Sequence, residues 1–193
     1  IGGTTLIVYA GVTALDDSQH NSEMERAQHE MTLFDSRAAM VALGDAGQQT
    51  VQLGGGGGSF NTDSEAGWLR ITHTNYSGNG DREVITNETL GALVYENGKT
   101  EIAYQGGGVW RRDEFGGSRM LSPPEFHYRS ATLTLPLIKV TSDESASGSI
   151  QASVTPGTRA RTIFPNRTSP TPGSDEIGAP YNGTDTNYLN PIR

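Results

Sequence analysis

The chain has 193 residues, a formal net charge of −8 and no cysteine, which excludes a disulfide scaffold, a thiolate metal site and a cysteine nucleophile. The acidity argues against nucleic acid as a partner, because phosphate neutralisation needs clustered Lys and Arg. Glycine, at 25 residues, is nearly double the average usage of about 7% and points to turns and short strands rather than a helix bundle. The basic residues are twelve arginines and only two lysines, Lys99 and Lys139. An acidic, lysine-poor surface suits brine, where carboxylates stay hydrated and charge screening is short-ranged.

From Leu6 to Leu15 the chain is apolar all round apart from Gly11 and Thr13, so as a helix it must be buried in protein or lipid. About fifteen residues at 1.5 Å each span about 22 Å, less than a bilayer core of roughly 30 Å. A helix buried among copies of itself, or a shortened membrane segment, satisfies that length. The sequence opens inside this apolar run, so residues are expected upstream of Ile1. A polar collar from Asp16 to Asn21 follows, and then Met24, Ala27, Met31, Phe34, Ala38 and Val41 recur at helical spacing, a one-sided stripe. Glu23, Glu25, Arg26, Gln28, Glu30, Asp35 and Arg37 fill the other faces, and Gly44 is the stop signal. The spacing predicts one helix over Thr4–Leu43, buried on every side in front and on one side behind.

Beyond Thr50 the signals are strands and turns. Val51 and Leu53 precede the glycine run Gly54 to Gly58, read as a flexible loop. Trp68 to His73 alternates as a half-buried strand. Ala92–Glu96 and Thr100–Gln105 flank Asn97-Gly98, the strongest hairpin signal. Pro123-Pro124 breaks the chain, Ala131–Val140 reads as a long strand that Pro136 demotes in part, and Ser149–Val154 with Arg159–Phe164 reads as another hairpin. Seven or so strands predict an antiparallel sandwich or small barrel. The fold expected is α+β: an assembly or anchor helix over 1–44, then a β-rich head over 45–193 with a loop-rich tail over 165–193.

Four positions match the acceptor pattern Asn-x-Ser/Thr: Asn75, Asn87, Asn166 and Asn182. All lie outside the helix, as in a secreted protein that carries covalent N-glycans. No other cofactor and no metal is expected. Gly98-Lys99-Thr100 has Leu93 where a phosphate loop needs glycine. His20 and His29 lie on different turns of the helix, which with Glu23, Glu25 and Glu30 reads as a solvated face. His73 and His127 fall on separate strands, and no Gly-x-Ser-x-Gly elbow supplies a serine nucleophile. The expectation is a protein that is not an enzyme. Trp68, Tyr95, Tyr104, Trp110, Arg111 and Arg112 form an aromatic and arginine group, either sheet core or a contact surface.

An apolar helix continuing as an amphipathic one, then a β-rich head, resembles the type IV pilins and archaellins. GTTLIVYAGVTALDDSQ, FDSRAAMVALG, GWLRI, LGALVYENGKTEIAYQGGGVWRRD and SPPEFHYRSATLTLPLIKV resemble secreted pilin-like proteins of halophilic archaea. These run on past the position of Arg193, so residues are expected there too. The resemblance implies a structural subunit of an extracellular filament, held in the membrane before assembly and then polymerised with copies of itself. Leu6, Ile7, Val8, Val12 and Leu15 would pack the filament core, and Met24, Ala27, Met31, Phe34, Ala38 and Val41 would seat the head on its helix. Other surface proteins or glycans are further candidate partners. The alternatives are a cell-surface binding module anchored singly by the helix, and a tethered secreted hydrolase with a carboxylate pair in a cleft.

Overall fold

The computed structural model describes residues 3–54, 56–74, 82–129 and 132–157, with side chains from Ser18 onward except at 73, 83, 85, 129, 132 and 133. One unbroken helix, α1, covers Gly3–Leu43, about 60 Å at 1.5 Å per residue. Gly44, at φ 88°, ends it. The Gly44 N–H donates to the Val41 carbonyl and the Asp45 N–H to that of Met40, the paired bonds of a left-handed glycine cap.

Among the described residues twelve short strands follow: β1 (Gln49–Leu53), β2 (Ser59–Asp63), β3 (Trp68–Thr74), β4 (Arg82–Thr89), β5 (Ala92–Asn97), β6 (Thr100–Gln105), β7 (Gly108–Arg112), β8 (Ser118–Ser122), β9 (His127–Arg129), β10 (Thr132–Thr134), β11 (Ser145–Ser147) and β12 (Ile150–Val154). Every pairing is antiparallel. The main sheet runs β11-β2-β5-β6-β7-β8, and three ribbons pair β1 with β12, β3 with β4 and β9 with β10. The chain is thus α+β, and among the described residues no sheet closes into a barrel.

Alternation places one sheet face against α1. Leu93, Tyr95, Ile102, Tyr104 and Val109 point inward with Phe60, and they share one cluster with Val51 and Leu53 of β1 and five residues of the helix. Val94, Ala103 and Trp110 face outward and are half-buried. Gly106 and Gly107 both have positive φ, as the two-residue turn joining β6 to β7 requires.

Three sequence expectations shift. The hairpin turn is Gly98-Lys99, because Asn97 pairs with Thr100 and so closes the strands one residue later than the dipeptide signal implied. The long strand over Ala131–Val140 shrinks, among the described residues, to β10, which pairs with β9. Beyond it Pro136 offers no N–H to a ladder, and the chain becomes a strap whose Val140 N–H donates to the Leu90 carbonyl at 2.8 Å. The hairpin partner expected at 159–164 lies outside the described residues, and β12 pairs with β1 instead.

The strap crosses Gly91 so closely that a Cβ there would drive into the Val140 carbonyl oxygen and lie 3.0 Å from that of Asp63. Gly91 also has φ 66°. Gly91→Ala is therefore expected to destabilise the head by about 2 kcal/mol, from left-handed strain and overpacking together. A shift in the urea midpoint measures it, and an unchanged midpoint would show the strap to be free to lift.

Candidate assembly helix and its seat

The back half of α1 meets the head through Met24, Ala27, Met31, Phe34, Ala38 and Val41, all buried. The Phe34 ring stands edge-on to Tyr104, with centroids 4.9 Å apart at 80°. These residues come round every three or four positions, so they form one line down the helix against β1, β5, β6, β7, β8 and β12.

A polar clasp flanks that line. The glycine run expected to be a flexible loop is held to the helix. Glu30 Oε2 accepts the Gly54 N–H, and Glu23 Oε2 accepts the Gly57 N–H at 3.0 Å and the Asn97 amide at 2.9 Å. Gln19 donates to the other Glu23 oxygen at 3.1 Å. The Gly57 N–H, with help from Gln19 and Asn97, holds the Glu23 carboxyl below its usual range. Glycine is needed here for approach: a Cβ on Gly56 would meet the Glu23 carboxyl carbon at 2.5 Å. The acidic face read as solvated is thus divided, with Glu25 and His29 exposed and Glu23 and Glu30 bonded to the loop.

Asp35, assigned by sequence to an outer face, is only 3% exposed. Ser122 at the end of β8 donates to its Oδ2, while Oδ1 and the buried Tyr104 hydroxyl have no hydrogen-bond partner among the described residues. Burial, reinforced by the charge of Glu125 and opposed by Ser122, pushes the Asp35 carboxyl up to about 6. Burial and the Asp35 charge together raise the Tyr104 phenol as well.

The folded Asp35 therefore holds its proton at pH values where an unfolded aspartate has lost it. Stability from this group is gained as pH falls from about 7 toward 4 and lost as it rises through about 6. The chain is expected to be about 1 kcal/mol more stable at pH 5 than at pH 7.5 on this account, and Asp35→Asn to remove that difference. Urea titrations at both pH values check it; an equal slope in the variant would assign the effect elsewhere.

The remaining sequence-predicted sites scatter. Leu6, Ile7, Val8, Val12 and Leu15 lie on the helix backbone, but their side chains are outside the described set, as are Asn75, Asn166 and Asn182 altogether. Asn87 is exposed on β4. The aromatic and arginine group is not one surface. Tyr95 and Tyr104 are core. Trp110 lines a shallow outer depression of about 160 Å³ with Glu101, Ala103, Arg111, Arg112 and Ser118. Trp68 is 56% exposed on the separate β3–β4 ribbon, with Arg70 over its ring at 5.4 Å. His127 sits 3.1 Å from Glu125, and among the described residues no cluster of His, Asp and Glu could hold a metal. No helix among them is long and apolar enough to cross a membrane.

What the fold and the seat define is a β-rich head built onto the rear of one long helix. The chain belongs to a family of unknown function, DUF7289, whose family model spans residues 1–182. Among curated proteins and among solved structures nothing matches it.

Proposed function

We propose that this chain is the structural subunit of an extracellular archaeal filament of the type IV pilus class, with helices bundled in the core and heads outside. The observation that carries the reading is the division of labour along α1. Among the described side chains, those of the stripe buried against the head run from Met24 to Val41. Ahead of them the same unbroken helix carries an all-round apolar sequence, Leu6 to Leu15. Such a sequence needs a partner on every side, and further copies of itself supply one. The subunit would wait in the membrane and then polymerise head-to-tail, a geometry that need not close.

In this reading the head is sandwich-like. In support, Val51 and Leu53 of the β1–β12 ribbon join Phe60, Tyr95 and Ile102 of the main sheet in one core around α1. The head performs no catalysis and binds no cofactor other than covalent sugar. The test is helical cryo-electron microscopy of material sheared from the native cell surface. Filaments whose core density matches the helix over Leu6 to Leu15 are expected; protein found only unassembled in the membrane would favour the singly anchored binding module.

A further inference from the structure

The β3–β4 ribbon brings a sequon and an aromatic ring onto one open face. Trp68 pairs with Thr89 and Arg70 with Asn87. Directly paired residues share a face, as do residues two apart on one strand, so Trp68, Arg70, Asn87 and Thr89 form a single block. All four are exposed, whereas Leu69 and Glu88 on the opposite face are half-buried, with Glu88 2.9 Å from Lys139 of the strap. Trp68 is thus a large ring, more than half exposed, diagonal to the asparagine of Asn87-Glu88-Thr89.

The asparagine itself is oriented. Arg70 Nε donates to Asn87 Oδ1 at 3.1 Å. Arginine offers donors only, so the amide oxygen must be the atom turned to Arg70 and the nitrogen the one turned away. That bond survives substitution at nitrogen, because an N-linked amide keeps its carbonyl oxygen and one N–H.

We propose that Asn87 carries an N-linked glycan whose first sugar lies against the Trp68 ring. The donor is a polyprenyl-phosphate-linked glycan used by a separate transferase. The bond between sugar C1 and the phosphate oxygen breaks, the phosphate leaves with the electron pair, Nδ2 bonds to C1, and the amide loses one proton to base. Diagonal cross-strand neighbours lie about 7–8 Å apart, within reach of a large aromatic ring, so one pyranose linked at Nδ2 spans the gap and covers the ring surface that the Arg70 guanidinium leaves open. The Arg70 guanidinium, already over that ring, then borders the sugar's hydroxyls.

The inference rests on the extracellular reading, and the experiment separates the two. Protein from the native cell surface is digested and the peptide containing Asn87 weighed. Most copies are expected to carry sugar, and Asn87→Gln to remove that mass. A bare Asn87 with sugar on other sequons overturns this inference and leaves the surface reading intact; a bare Asn87 in a chain that also forms no filament overturns both. Stacking is tested by melting Trp68→Ala, Asn87→Gln and the double variant. Trp68→Ala is expected to lower the melting temperature of the glycosylated chain by about 2–4 °C more than that of the Asn87→Gln chain. Additive effects would overturn the contact with Trp68.

Discussion

Val8→Asp is expected to leave a folded head and to abolish filaments. Val8 stands in the middle of the apolar run, sixteen residues ahead of Met24, where the buried stripe begins among the described side chains. In the proposed bundle a carboxylate at this height enters a packed apolar core, where burying an unpaired charge costs several kcal/mol. About 4 kcal/mol per subunit weakens association about a thousandfold, and the same penalty recurs in every copy added. Circular dichroism and the urea midpoint should match the wild type, while electron micrographs of the cell surface show no filaments. Filaments at normal yield would refute the bundled-core reading.

Phe34→Ala is expected to cost the chain about 3–5 kcal/mol, the usual penalty for truncating a buried aromatic ring. Phe34 is 6% exposed, and it faces Met31 and Ala38 along the stripe and Tyr104 across the seam. The edge-on contact with Tyr104 contributes about 1 kcal/mol of the total, and the cavity left under the helix the rest. Against a net stability of about 5–15 kcal/mol for a domain, the variant should melt far earlier. Phe34→Leu refills most of the volume and should recover more than half of the loss. A cost below about 1 kcal/mol would mean that the head folds without the helix.

Periodicity carried the helix well, because burial in α1 is set by a 3.6-residue repeat that a sequence displays directly. The helix ends at Leu43 since only glycine takes the next position at positive φ without strain. Other features depended on partners far away in the chain. Gly54 and Gly57 read as loose because nothing near them announces Glu30 and Glu23, 24 and 34 residues earlier. The hairpin slipped by one residue because Asn97 is spent on Glu23 and stays in the strand. Asp35 was misassigned although a signal existed: it follows Met31 by four and precedes Ala38 by three, on the flank of the buried stripe. The aromatic group dissolved because strand alternation sends Trp110 outward and its neighbour Val109 inward.

The two carboxylates that grip the glycine loop stand seven residues apart, two turns or about 10.5 Å along the helix. Sliding the head by one turn would bring Ala27 and Phe34, or Gln19 and Arg26, to those amides, and a slide of two turns would bring Glu30 and Arg37, or Asp16 and Glu23. Only Asp16 with Glu23 offers two carboxylates, and that slide would put Asp17 and His20 where Met24 and Ala27 are buried, so clasp and stripe together work as a key with one fitting height. In a polymer of such helices, the distance of each head from the inner end of its rod would be a property of the single subunit. Filament girth would then be decided before assembly begins, and the lattice would be left to choose only pitch and rotation.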